Sequence, residues 1–208
     1  MVAHIVCGSP YLWLPTNLAG YVVGVDRGAL KLIEKNVSLD VAIGDFDSVS
    51  EVEYQLIRER ANLTLELPVD KDVTDCEAAV AYVAEKGYHQ IYLYGTTGGR
   101  LDHQFATMGL LLKYAQRGVQ IYVKDAQNKI SVLTSGRHHI EVDATKKYIS
   151  FFALEHMVKN LTVRGVKYPL NGYDLAVDDS LCVSNEPLKR EIGVSFDSGC
   201  LMVVQSVD

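Results

Sequence analysis

Residues 91–124, IYLYGTTGGRLDHQFATMGLLLKYAQRGVQIYVK, carry the clearest structural pattern in the chain. Ile91 to Tyr94 is a short apolar and aromatic run, broken by Gly95-Thr96-Thr97-Gly98-Gly99. Leu101 to Gln116 follows as a long apolar helix ended by Gly118, and Ile121 to Lys124 begins another strand. Strand, glycine-rich turn, helix and strand in this order predict a crossover between parallel strands. The alternation extends toward the N-terminus. Ala3 to Cys7, Tyr21 to Val25, Val41 to Ile43 and Leu63 to Leu67 have the composition of buried strands. Between them, Ala29 to Lys35, Val52 to Ala61 and Thr74 to about Lys86 suit helices. Thr74 and Glu77 fit a capping box, and Gly87 a helix stop. The order predicts an α/β N-terminal domain with an open, mostly parallel sheet.

After Ser135 the pattern changes. Short β-rich runs replace helical ones: Ile140 to Val142, Tyr148 to Ala153, Leu161 to Val163, Ile192 to Phe196 and Leu201 to Val204. Asn171-Gly172 has the composition of a two-residue hairpin turn. These runs predict an all-β sandwich C-terminal domain. The expected division is therefore residues 1–135 and 136–208, with the seam at Ser135-Gly136-Arg137.

The 208 residues are 48% hydrophobic and 22% charged, which excludes a disordered chain. Lys plus Arg number 20 against 26 Asp plus Glu, for a net charge of −6. That balance argues against a nucleic-acid partner, which would be met by a basic surface. Cys7, Cys76, Cys182 and Cys200 form no C-x-x-C pair and no zinc-ligand spacing, so they are expected to be reduced. No charged side chain precedes Asp26, but Gly8, Pro10, Pro15 and Gly20 interrupt the run. The segment fits neither a signal peptide nor a membrane helix. A cytoplasmic protein without membrane contact is expected.

Chemistry-bearing residues gather at the predicted C-terminal ends of strands, where open α/β sheets bind ligands. Asp26-Arg27-Gly28 follows the second strand, where Asp26 either caps the next helix or faces a ligand. Gly44-Asp45-Phe46-Asp47-Ser48 follows the third. Carboxylates at i and i+2 share one side of an extended segment, and such hard oxygen donors suit Mg²⁺ with a substrate phosphate. Asp70-Lys71-Asp72-Val73-Thr74-Asp75 precedes a helix, so Lys71 and the helix amides could meet phosphate. Gly95 to Gly99 with Arg100, Asp102 and His103 forms a glycine-rich turn that could cradle phosphate. It is neither a Walker A sequence nor G-x-G-x-x-G. So many acids on neighbouring loops would repel one another without a cation among them.

These clusters, in this order and spacing, resemble the thiamine pyrophosphokinase family, bacterial branch. The resemblance runs from about Val22 to Tyr114 and resumes at Gly165 to Leu170 and Ser184-Asn185-Glu186. Gly-Asp-Phe-Asp-Ser together with Gly-Gly-Arg-x-Asp-His is highly specific. Asp26-Arg27-Gly28 departs from the pattern, which has Gly after the Asp. The resemblance implies transfer of pyrophosphate from ATP to the hydroxyethyl group of thiamine, giving thiamine diphosphate and AMP. It also implies a homodimer, with thiamine bound near the subunit interface. Carried over residue by residue, Asp45, Asp47 and Asp75 would hold Mg²⁺. Asp26, Lys71, Asp72, Thr97, Gly98, Gly99 and Arg100 would meet ATP and its phosphates. Ser184, Asn185 and Asp75 would meet thiamine. Asp75, Asp102 and Arg100 would carry catalysis, with either carboxylate open as the proton acceptor. The alternatives are a pyrophosphokinase for another hydroxyalkyl heterocycle and a non-catalytic nucleotide-binding module.

Overall fold

The computed structural model describes all residues, Met1–Asp208. The chain folds as two compact units, Met1–Leu110 with Gly118–Ala126, and Leu111–Arg117 with Gln127–Asp208.

In the first unit β1 (Val2–Val6), β2 (Tyr21–Val25), β3 (Leu39–Gly44), β4 (Ala61–Glu66), β5 (Gln90–Tyr94) and β6 (Gln120–Lys124) form a parallel sheet. Helices α1 (Arg27–Glu34), α2 (Glu51–Arg60), α3 (Asp75–Glu85) and α4 (Leu101–Ala115) make the crossovers from β2 onward. The strand order is β6-β5-β1-β2-β3-β4. Chain direction across the sheet thus reverses between β1 and β5, the topological switch point where such sheets open a crevice. Ile5, Val23, Val41, Ile91, Leu93 and Ile121 are buried, as expected of a sheet covered on both faces. A non-helical segment joins β1 to β2, and its Leu12, Trp13, Leu14 and Leu18 pack onto the core around Val6, Phe46 and Tyr94.

Caps follow the sequence in part. Thr74 Oγ1 accepts from Glu77 N–H at 3.2 Å, as expected of an N-cap. The full reciprocal box forms elsewhere, between Ser50 and Glu53 at the start of α2.

The second unit is β-rich and antiparallel: β7 (Asn128–Glu141), β8 (Tyr148–Ala153), β9 (Met157–Arg164), β10 (Leu170–Ala176) and β11 (Glu191–Ser206). β11 pairs with β7 along its length, with β8 over its second half and with β9 over its first. Ile149 and Phe151 of β8 share one core with Leu161, Val163 and Leu175 of β9 and β10, so both halves of β11 enclose the same apolar interior.

Three sequence expectations change here. The seam placed at Ser135-Gly136-Arg137 lies inside β7, because that strand runs on opposite β11. Ile192 to Phe196 and Leu201 to Val204 are one strand, interrupted by a bulge at which Gly199 takes φ 92°. Asn171-Gly172 is not a hairpin turn but part of β10. Its register shifts between Leu170 and Tyr173, Gly172 has φ 70°, and Gly172 N–H reaches Thr162 Oγ1 at 3.1 Å. A glycine with positive φ serves a bulge as well as a turn, so composition alone did not separate them.

All four cysteines are free, and no helix is long and apolar enough to cross a membrane.

His4, in β1, is buried between Tyr92 and Tyr94, with ring centroids 5.5 and 5.9 Å away. Its ring nitrogens meet Tyr94 OH at 3.2 Å and the Ala19 carbonyl at 3.3 Å. Burial lowers its pKa below 6.5, opposed in part by the Ala19 carbonyl. The folded protein therefore favours neutral His4, and this stability is lost as pH falls below about 6.5. In denaturant titrations the stability advantage of the wild type over His4→Gln should shrink between pH 7 and pH 5. A constant difference would contradict this role.

Candidate active site

The strands of the first unit are parallel, so their C-terminal ends share one edge. A cavity of about 520 Å³ opens there. Its walls are Cys7 to Pro10 after β1, Val25 to Arg27 after β2, Thr74 to Cys76 at the start of α3, and Gly95 to Thr97 after β5. β1 and β5 flank the switch point, so topology alone puts the opening at this place.

Asp26 stands at the N-cap of α1 with φ 46°, yet makes no capping hydrogen bond. Its Oδ1 accepts Phe46 N–H at 3.1 Å instead, tying the end of β2 to the turn after β3. Gly44 makes room for that carboxylate, since a Cβ there would lie 1.8 Å from Asp26 Oδ1.

Carboxylate oxygens of Asp26, Asp45 and Asp75 lie within 4.8 Å of one another. At that spacing and an effective dielectric near 20, each charged pair would repel by about 3 kcal/mol. Two devices relieve the repulsion. Lys71 Nζ lies 2.8 Å from Asp45 Oδ2 and 3.2 Å from Asp75 Oδ1, and also donates to the Pro68 carbonyl at 3.0 Å. The Lys71 hydrogen bond holds Asp45 below the usual carboxylate range. Burial works against the ammonium, but its hydrogen bond to Asp45 and the charges of Asp75 and Asp45 outweigh it and raise the Lys71 pKa. The second device is a proton. Burial, then the charge of Asp75, push Asp26 up to about 7.

The donor set fits a hard divalent cation. All its atoms are carboxylate oxygens, the chemistry Mg²⁺ prefers. Asp75 Oδ1 is buried without a hydrogen-bond donor, its contact with Lys71 being an ion pair outside hydrogen-bond geometry. Such an orphaned oxygen is costly unless a ligand meets it.

The structure sorts the residues named from sequence. Asp45 and Asp75 converge as expected. Asp47 does not join them: it is exposed, and its N–H donates to Asp45 Oδ1 at 3.2 Å. The shared-side argument assumed extended backbone, but Phe46 takes φ 57°, and Asp47 is not among the acids whose oxygens gather within 4.8 Å. That backbone buries the Phe46 ring against Tyr54, with centroids 5.1 Å apart. Asp26, expected at the phosphates, completes the acid group instead. Asp72 is exposed and outside the cavity lining.

Arg100 lines the cavity but points two of its three guanidinium nitrogens at Asp102, with Nε 3.1 Å from Oδ1 and Nη2 2.5 Å from Oδ2. Both side chains are exposed. The Arg100 hydrogen bond lowers the Asp102 pKa. Thr97 is structural: its hydroxyl donates to Asp125 Oδ2 at 2.7 Å, and its carbonyl accepts Ser9 Oγ at 2.7 Å. Gly98, with φ 76°, faces the Tyr11 ring, while Gly99 lines the cavity.

Ser184 and Asn185 lie in the second unit, between β10 and β11. Asn185 is buried and its amide is engaged: Oδ1 accepts from Tyr168 and Glu186 N–H, and Nδ2 donates to the Tyr168 carbonyl. Ser184, with φ 58°, is exposed, and its N–H donates to Ser150 Oγ.

Sequence reasoning missed the wall after β1 (Cys7, Gly8 and Ser9); Thr96, within the glycine turn it did name, has a buried hydroxyl without a partner. The signal was present, since Gly8-Ser9 directly follows a strand beside the switch point.

An open parallel sheet with clustered acids and a glycine turn at its switch point defines an α/β enzyme site whose acids could hold a metal ion. The comparisons with known proteins narrow this class. Residues 14–123 match the model of the thiamin pyrophosphokinase catalytic domain, and residues 137–201 match that of the thiamin pyrophosphokinase vitamin B1 binding domain. A thiamine pyrophosphokinase of Bacillus subtilis is 35% identical, over 99% of this chain and 98% of its own. The crystal structure of the B. subtilis enzyme superposes with TM-score 0.92 at 34% identity, covering 100% of both chains. That from Geobacillus thermodenitrificans gives TM-score 0.89 at 38% identity, covering 100% of this chain and 98% of its own. The chain belongs to the thiamin pyrophosphokinase family.

The Asp26 shift carries a signed prediction. Between pH about 4 and 7 the native protein binds more protons at Asp26 than the unfolded chain, so stability from this residue falls as pH rises through that window. Asn retains an oxygen for Phe46 N–H and carries no charge. Without divalent cations, calorimetry should find Asp26→Asn higher in Tm than the wild type at pH 8, with the gain lost at pH 4. An equal difference at both pH values would refute the assignment.

Proposed function

We infer that the protein transfers the pyrophosphoryl group of ATP to the hydroxyethyl oxygen of thiamine, giving thiamine diphosphate and AMP. One observation carries the reading: Asp26, Asp45 and Asp75 converge, and Asp26 and Asp75 line the switch-point cavity, in a chain with this family membership.

The thiamine oxygen bonds to the β-phosphorus, the bond from that phosphorus to the α,β-bridging oxygen breaks, and AMP leaves with the oxygen. Transfers of this kind depend mainly on positioning and charge stabilisation. In this reading Asp45 and Asp75, with Asp26 as third acid, hold Mg²⁺. Bound there, Mg²⁺ supplies positive charge to the phosphates. Asp47, expected as a ligand from the sequence, instead closes the turn that aims Asp45. Lys71 balances the acids and faces the phosphates they gather. Arg100 is free to exchange partners, since an exposed ion pair is worth only about 0–1 kcal/mol. A phosphate offers the same guanidinium a stronger, charge-assisted fork. For the hydroxyl proton, Asp75 is better placed than Asp102: it lines the cavity, whereas Asp102 is exposed and held anionic by Arg100.

Thiamine is assigned to Ser184 through its exposed side chain. Asn185 acts by holding the turn at Tyr168. A homodimer is proposed as well, supported by exposed Tyr168, Leu181 and Leu188 in the second unit.

The decisive assay combines purified protein, Mg²⁺, ATP and thiamine, and scores AMP and thiamine diphosphate in equal amounts. AMP without thiamine diphosphate, or neither product, would reject the function. Asp45→Asn should lower kcat by at least roughly 100-fold with an unchanged circular dichroism spectrum. Near-normal turnover in that folded variant would remove Asp45 from the site. Ser184→Ala should raise KM for thiamine and leave KM for ATP in place; the reverse pattern would place Ser184 elsewhere.

A further inference from the structure

The cations of the cavity are not equivalent. Lys71 is committed to Asp45 and Asp75, and Arg100 to Asp102. Arg27 also lines the cavity, but its guanidinium makes no ion pair or hydrogen bond within the chain. No carboxylate pairs with its guanidinium. It occupies the first position of α1, where a positive charge opposes the helix dipole, and no acid in that first turn offsets it. Lys31, four residues on, repels it, and Lys31 is fixed by donating to the Ser9 carbonyl. Glu53 feels the charge of Arg27, but its carboxylate is closed on Ser50 N–H at 2.7 Å and Ser50 Oγ at 2.8 Å. The Arg27 stem lies against the wall after β1, where a Cβ on Gly8 would sit 3.1 Å from Arg27 Cβ. An exposed guanidinium with like charge beside it is locally unfavourable, and such exceptions mark functional positions.

We propose that Arg27 is a phosphate-binding residue of this site, contacting the polyphosphate of the bound nucleotide from the wall opposite in charge to the acid cluster. The proposal rests on the ATP-dependent reading above. The acids anchor the polyphosphate through a cation, and Arg27 contacts its oxygens directly. This division of labour gives the polyphosphate a cationic partner that needs no internal ion pair to be broken.

Calorimetric titration tests it with two probes, ATP with excess Mg²⁺ and inorganic tripolyphosphate with excess Mg²⁺. Arg27→Ala should weaken both by about 10- to 100-fold, the loss expected for a charge-assisted hydrogen bond. Arg27→Lys should recover part of the affinity. Arg60→Ala, which removes an exposed arginine outside the cavity lining, should change binding less than about threefold. Thermal melts of the arginine variants should show no loss of stability, because Arg27 is exposed and its charge is locally unfavourable. Wild-type affinity in Arg27→Ala, or an equal loss in Arg60→Ala, would overturn the contact. The reaction is scored separately. A wild type that binds both probes but forms no thiamine diphosphate rejects the proposed function and leaves the Arg27 contact standing on the titrations. Full affinity in Arg27→Ala removes the contact and leaves the reaction intact.

Discussion

Three carboxylates brought within 4.8 Å of one another are the constraint on which the rest of the site depends. Bare, they would cost several kcal/mol of mutual repulsion, comparable with the whole stability of many domains. The protein meets that cost from within, by threading Lys71 between Asp45 and Asp75 and by raising the proton affinity of Asp26. Both compensations are exchangeable. A proton on Asp26 and an ammonium at Asp45 can give way to a divalent cation carrying phosphate. Asp75 Oδ1, ion-paired with Lys71, is the part of the cluster left without a hydrogen-bond donor.

The cluster exists because of topology and one missing side chain. The strand order places the ends of β1 and β5 at the switch point, and β2 and β3 run beside them in the same direction. Asp26 at the end of β2 and Asp45 after β3 are therefore adjacent, although 19 positions apart in the chain. Gly44 allows the Asp26 carboxylate to cross to Phe46 N–H; any Cβ there would displace it. The same hydrogen bond accounts for the strained φ of Asp26, which no helix cap explains.

Much of this was legible in the sequence, and the limits were physical. Apolar runs such as Tyr21 to Val25 and Ile91 to Tyr94 marked the parallel strands because a sheet covered on both faces needs them. The glycine turn at Gly95 to Gly99 and the acids at strand ends located the site. Which acids meet was not legible. Asp47 sits beside Asp45 in sequence, but with Phe46 at positive φ it stays outside the three-acid group. The choice of φ follows from burying the Phe46 ring against Tyr54, a tertiary contact. In the second unit, composition could not tell the Gly172 bulge from a hairpin, nor join two runs into β11 across Gly199. Long antiparallel strands with bulges read as several short ones. The function of Asn185 was likewise hidden. Its full set of hydrogen bonds around Tyr168 depends on a turn that no local spacing announces.

The central claim is that the Asp26–Asp45–Asp75 group is a cation site that anchors a polyphosphate. Its most direct test is an anomalous-scattering map from crystals grown with Mn²⁺ and a non-hydrolysable ATP analogue. The account predicts a strong peak bonded to Asp45 and Asp75 oxygens, with phosphate density on its open side and Lys71 moved from between the two acids. A metal peak absent from this group, or phosphates bound elsewhere on the first unit, would contradict it.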